Sequence, residues 1–162
     1  MHELEFIFCK SDKIFARLIN WRTYGDWSHV TVRIIDTEDH NFPSILEASF
    51  FGGVRMTTLN KLKAHNSRII SKKVKINKTA SELFLVGISQ LGKPYDYKAI
   101  FGAFFRRSEW VKKGAWYCSE LASWMAYKMG LKFFDRSEKI ITPQMLYTAI
   151  TPEICTKKKV IK

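Results

Sequence analysis

The chain has 162 residues, 46% apolar and 14% aromatic, with only 8 Gly and 4 Pro; this suffices for one ordered domain and excludes collagen-like, disordered and low-complexity classes. Lys and Arg number 27 against 15 acids, a formal net charge of +12, which points to an anionic partner such as nucleic acid, an anionic membrane surface or acidic cell-wall polymer. No apolar run approaches the roughly 20 residues of a membrane span.

The basic residues fall in separate groups, Lys72 to Lys78, Arg106 to Lys113 and Lys157 to Lys162, and such runs ordinarily form a solvated surface. Three cysteines, Cys9, Cys118 and Cys155, are too few for a disulfide framework and suit a reducing compartment. Glu3 precedes and Glu5 interrupts a short apolar run, Leu4 to Phe8, where a secretory signal would need a basic start and a longer apolar stretch. We therefore expect a protein that is cytoplasmic as synthesised.

Leu4 to Cys9 reads as a buried strand. Ser11 and Asp12 offer N-caps to a short helix with Ile14, Phe15, Leu18 and Ile19 on one face. After the turn at Tyr24-Gly25-Asp26, His29, Thr31 and Arg33 alternate with Val30, Val32 and Ile34, the period of a half-buried strand. A second such run, Ser44 to Phe51, meets Gly52-Gly53 and reverses into Val54 to Thr58, so an antiparallel meander is expected. Arg68 to Ile76 predicts a further strand with its lysines on the wet face.

Thr79-Ala80-Ser81-Glu82 fits a capping box that opens a helix ending at Gly92. Asp96 to Phe105 reads as a short aromatic-rich helix or loop-helix. The next helix is predicted from Tyr117 or Cys118 to Met129, with Leu121, Ala122, Met125, Ala126 and Met129 on one stripe and Gly130 as its stop. Thr142-Pro143 begins the last helix, Pro sitting where its missing N–H costs nothing. The expected fold is α+β, a mainly antiparallel sheet with helices packed on one side. It is a single domain over 1–162 with a short basic tail from about residue 153.

Cys118 is the most suggestive residue, because it falls in the first turn of a helix predicted from periodicity alone. Unpaired N–H groups and the positive end of the helix dipole favour thiolate over thiol there, although a buried structural cysteine fits an apolar helix equally well. A thiol hydrolase also needs a base. His2, His40 and His65 lie at a terminus or in polar connections, whereas His29 opens an alternating strand and can project from a rigid element. Glu47, the one acid inside the run Ser44 to Phe51, needs a partner if buried and is the candidate for orienting the imidazole. No Cys or His pair has metal-ligand spacing, and Gly52-Gly53 lacks the Lys and helix of a phosphate loop.

Four segments in order, Trp27-Ser28-His29-Val30, Leu46-Glu47-Ala48, Leu91-Gly92-Lys93-Pro94-Tyr95-Asp96 and Trp116-Tyr117-Cys118-Ser119-Glu120-Leu121, are followed by Thr142-Pro143. Together they resemble the permuted branch of the NlpC/P60 papain-like superfamily, which includes YiiX-like amidases and, more distantly, lecithin retinol acyltransferase-type enzymes. The resemblance implies a permuted papain-like fold with Cys118 as nucleophile, His29 as base and Glu47 as orienting residue. It also implies substrate-binding or oxyanion roles for Tyr95, Ser119, Tyr117 and Trp27, and it requires no metal or cofactor. The basic stretch Phe104 to Gly114 matches no family motif and reads as a lid or substrate-contacting loop.

The expected reaction is amide hydrolysis through a thioester, most suitably on bacterial cell-wall peptides, and a phage product released or delivered to the wall would suit this chain. Two rival classes stay open. A lipid-directed thiol acyltransferase or phospholipase would use Phe101, Phe104, Phe105 and Trp110 beside Arg106, Arg107 and Lys112 on an anionic membrane. A non-enzymatic nucleic-acid module would use the basic groups, though no RNP-like motif, zinc finger or recognition helix supports specific nucleic-acid binding. The sequence leaves oligomeric state open.

Overall fold

Two interleaved apolar sets along one strand make the N-terminal segment the axis of the sheet. In β1 (His2–Lys10), Leu4, Phe6 and Phe8 point into the larger core while Ile7 and Cys9 point to the opposite face. The strand is flanked on both sides by antiparallel neighbours, β2 (His29–Arg33) and β5 (Arg68–Ile76). With β3 (Ile45–Ser49), β4 (Gly53–Thr57) and β6 (Cys155–Ile161) they form a six-stranded sheet in the order β4-β3-β2-β1-β5-β6. The computed structural model describes residues 2–11, 16–17, 20, 24–98, 114–134 and 141–161. The helix expected beyond Asp12, most of the loop-helix expected to Phe105 and the basic stretch from Phe104 lie largely outside the described residues.

The expected meander forms, with one difference in burial. Four of the five β2 residues are buried, where alternation predicted a half-buried strand. Arg33 is tolerated inside because its Nε donates to Glu5 Oε2 at 2.7 Å and its Nη1 donates to Ser44 Oγ at 3.1 Å, so the charge is paired and hydrogen-bonded. The β3–β4 hairpin sets Glu47 opposite Arg55 and Ser49 opposite Gly53. Gly53 has φ +63°, and the Lys93 carbonyl oxygen occupies the space a Cβ would need. Val54 N–H donates to that carbonyl at 2.8 Å and Gly92 N–H donates to Val54 O at 2.9 Å, which fastens the Gly92–Tyr95 segment to the hairpin.

Among the described residues three helices cover the larger core: α2 (Ala80–Ile88), α3 (Cys118–Lys128) and α4 (Pro143–Ala149), contributing Leu83, the Leu121-Ala122-Met125-Ala126 stripe and Leu146. The helix α3 packs on β2 and β3. A fourth, seven-residue helix, Leu59–His65, was not expected. It precedes the other three in the chain and is α1. Thr58 caps it by accepting the Lys61 N–H at 3.1 Å, and its Leu59 and Leu62 join Ile7, Cys9, Ile45 and Ile69 on the other side of the sheet. No helix among the described residues is long and apolar enough to cross a membrane.

Two expectations about lysines change. The C-terminal residues expected as a basic tail form β6, paired with β5 from Ile69–Ile161 to Val74–Cys155. Lys72, expected on a wet face, is buried: its Nζ donates to Tyr147 O and Ile150 O at 2.7 Å each and lies 3.8 Å from the Tyr147 ring centroid. It satisfies carbonyls at the end of α4 that the helix cannot pair itself. Replacing Lys72 by Met keeps the stem and strands both carbonyls, so urea unfolding should show a loss of about 1–3 kcal/mol.

Candidate active site

The end of α3 that faces β2 is built differently from the other described helices. Thr58, Thr79 and Thr142 each cap a helix by accepting a backbone N–H with the side chain. Tyr117, at the same position of α3, makes no such bond. Only the reciprocal half of a capping box is present, Glu120 accepting the Tyr117 N–H. The first residue after this incomplete cap is Cys118, and its sulfur receives the backbone N–H groups of Ser119 and Val30. A negative sulfur is thus placed where the helix offers unpaired donors and the positive end of its dipole.

His29, the first residue of β2, joins this sulfur to a buried carboxylate. Its Nε2 donates to Glu47 Oε2 at 3.3 Å, which leaves Nδ1 for the hydrogen bond it makes with Cys118. The other Glu47 oxygen accepts from Arg55 Nε at 2.8 Å. The result is a continuous row, Cys118–His29–Glu47–Arg55. The His29 side chain keeps 23% of its surface exposed and Glu47 only 6%, so a substrate can approach the imidazole while the carboxylate stays shielded.

Burial works against every charge in this row, and the partners outweigh it. Burial alone would lower the His29 pKa, but hydrogen bonds to Cys118 and Glu47, and their negative charge, hold it up at about 10. Burial would raise the Cys118 pKa, yet the His29 bond and charge, with the two backbone N–H groups, bring it below the ordinary thiol value. Glu47 is likewise kept low against burial by His29 and then Arg55. Both shifts favour the thiolate–imidazolium form of the pair over the neutral one. Cys9, opposite His29 across β1 and β2, shows the contrast: burial, and then the negative charge of Glu47 and Cys118, pushes its thiol up and it stays protonated.

The sequence-derived site residues divide into two groups. The structure brings Cys118, His29 and Glu47 together. Tyr95 is buried and near enough for the Cys118 charge to help burial raise its pKa, so its hydroxyl remains a donor. Trp27, expected to touch substrate, is core: 2% exposed and packed against Phe8 and Tyr147. The side chains of Tyr117 and Ser119 are also engaged elsewhere. Tyr117 Oη accepts the Ile141 N–H at 3.1 Å and Ser119 Oγ donates to the Ile141 carbonyl at 2.6 Å, which clamps one residue of the α4 approach from both sides. Of Ser119 only the backbone N–H reaches the sulfur.

Arg55 is the member that sequence reading missed. Folding the strands about Gly52-Gly53 would have placed it beside Glu47, since the ladder pairs the two directly. Glu120 was quoted in a motif but given no role. Burial and the neighbouring Asp96 raise its carboxyl to about 7, against the Tyr117 N–H, which lowers it.

Among the described residues no group of three or more His, Cys, Asp or Glu is arranged to hold a metal ion. A thiol-bearing helix that follows a histidine-bearing strand, packed on an antiparallel sheet, defines a papain-like cysteine hydrolase of permuted chain order. The chain belongs to the permuted papain-like amidase enzymes of the YaeF/YiiX, C92 family, whose model matches residues 5–151; it is thus a papain-like cysteine amidase or peptidase. Its fold is similar to the crystal structure of yiiX from Escherichia coli O157:H7, described as a metalloprotein, with TM-score 0.60 and 16% identity over 98% of this chain and 94% of that one. No curated protein matches the chain in sequence.

The charge state of the sulfur gives a direct test. Iodoacetamide followed by peptide mass spectrometry should label Cys118 well below the pH at which a free thiol, of pKa about 8.5, becomes reactive, and leave Cys9 unlabelled in the folded protein. Glu47→Gln weakens the imidazolium, so the Cys118 labelling curve should move to higher pH.

Proposed function

We propose that Cys118, His29 and Glu47 carry the amide hydrolysis of this enzyme and that its substrates are peptide amides of the bacterial cell wall. The single observation behind the catalytic assignment is the hydrogen-bonded row from the Cys118 sulfur through His29 to Glu47. The wall assignment is supported by the net charge of +12, which attracts the protein to acidic wall polymer.

In this mechanism the Cys118 thiolate attacks the amide carbonyl carbon and forms the C–S bond. The carbonyl oxygen becomes an oxyanion, met by the open N–H groups at the start of α3 and by the Tyr95 hydroxyl. As the C–N bond breaks, the His29 imidazolium gives its Nδ1 proton to the leaving amine, and a thioester remains. The neutral imidazole then takes a proton from water, whose oxygen attacks the thioester carbonyl; the thiolate departs and the acid product is freed. Glu47 keeps the Nε2 proton in place throughout and stabilises the charged ring, while Arg55 holds Glu47 ionised.

A second reading, acyl chemistry on lipid, draws on an aromatic shelf beside Tyr95. The Phe50 ring lies 4.9, 5.6 and 4.8 Å from those of Phe51, Tyr95 and Tyr97, and Phe51 is 88% exposed. Peptidoglycan and a mixed lipid panel, each incubated with wild type and Cys118→Ser and read by mass spectrometry, separate the two. Peptide cleavage by wild type alone supports the proposal, and lipid products alone support the second reading. Products appearing equally with both proteins would remove Cys118 from the chemistry.

With a cleaved substrate in hand, His29→Asn should lower kcat by about 10²–10⁴, the usual worth of general acid–base catalysis. The pH profile carries a sign. Activity needs His29 protonated, so kcat/KM should fall as pH rises through about 10. In Glu47→Gln that falling limb should move to lower pH.

A further inference from the structure

The face of the sheet that carries α1 holds a cavity of about 630 Å³, which shares no residue with the Cys118–His29–Glu47 row. That volume is in the range of ordinary small-molecule sites. Four lysines from three elements line it: Lys63 of α1, Lys73 of β5, and Lys157 and Lys159 of β6. The Arg33–Glu5 pair forms part of its lining and is neutral as a unit. His29 and Arg33 stand at opposite ends of β2, roughly 13 Å apart at strand rise, so the two sites are separate places on one sheet.

Lys73 stands between Glu5 of β1, whose carboxylate Arg33 already holds at 2.7 Å, and Lys157 of β6. Lys73 and Lys157 are direct partners across the β5–β6 ladder, and like charges directly opposite destabilise a sheet. Lys159 projects on the same face two residues further along β6. None of the four ammonium groups forms an ion pair among the described residues. Lysines on an edge strand ordinarily deter strand addition, which accounts for Lys157 and Lys159. It does not account for Lys63 and Lys73, half-buried residues on a helix and an inner strand that converge on the same hollow. The nearby carboxylates Asp36 and Glu38 leave the lysines in excess.

We propose that this groove binds a phosphate-bearing anion, with Lys73, Lys157 and Lys159 sharing its oxygens and Lys63 closing the opposite side. Lysine ammoniums are point charges with rotatable donors, suited to tetrahedral phosphate; they lack the planar fork that matches a carboxylate. Cross-strand and next-but-one neighbours lie about 5–7 Å apart at the backbone, so one phosphate or two linked phosphates can touch three of them. An anion there replaces repulsion between Lys73 and Lys157 with attraction to a common partner.

The test titrates the whole protein at low salt with inorganic pyrophosphate by calorimetry, and in parallel sediments it with phosphatidylglycerol or phosphatidylcholine vesicles. The variants are Lys157→Gln/Lys159→Gln and, as a control of equal charge, Lys61→Gln/Lys98→Gln at exposed positions off the groove. Expected are pyrophosphate binding that weakens by about tenfold or more in the groove variant through loss of charge-assisted contacts, near wild-type binding in the control, and unchanged hydrolysis in both. Lysine-specific binding to phosphatidylglycerol vesicles without pyrophosphate binding would place the phosphate on a lipid headgroup. No binding to either probe, or equal weakening in groove and control variants, would overturn the proposal.

Discussion

The site depends on one exchange of charge at the start of α3. A helix that begins without a side-chain cap leaves N–H donors unsatisfied, and this helix begins with Tyr117, which makes no cap bond. The Cys118 sulfur fills that role, drawing the N–H groups of Ser119 and Val30 and the imidazole of His29. A neutral thiol would serve poorly as an acceptor, so the helix and the imidazole both favour the ionised form. In a purely structural helix a serine, threonine or aspartate at the cap position would take the helix's own share of these donors.

Holding two opposite charges in a low-dielectric setting requires rigid support, and the sheet supplies it. The ladder fixes Glu47 against Arg55, so the carboxylate reaches His29 with its second oxygen already committed. Gly53 lets the β3–β4 hairpin sit against the Lys93 carbonyl, and that contact anchors the segment leading to Tyr95. On the other flank, Tyr117 and Ser119 grip Ile141. The side chains of Tyr117 and Ser119, on either side of Cys118, are thus occupied in fixing its helix.

Features with a local signature were legible in the sequence. The stripe from Leu121 to Met129 and the stop at Gly130 marked α3, and its first turn marked Cys118. Alternation marked the His29 strand, and the lone acid in an apolar run marked Glu47. The capping box at Thr79 and Glu82 is present in full. What escaped depends on partners distant in the chain. Lys72 is buried because carbonyls of Tyr147 and Ile150 await it, and Arg33 because Glu5 does. Trp27 looked like a site residue from its place beside His29, yet Phe8 and Tyr147 enclose it. The strand β6 hid behind its lysines, since an edge strand with one solvated side has little apolar pattern to show.

Chain order has a bearing on biosynthesis. His29, Glu47 and Arg55 all precede Cys118, and five of the six described strands lie before residue 118. A ribosome adding about 5–20 residues per second therefore completes most of the scaffold before the Cys118 sulfur emerges beside it. A chain that stalls before residue 118 carries His29, Glu47 and Arg55 without Cys118, so the proposed hydrolytic row cannot form in it.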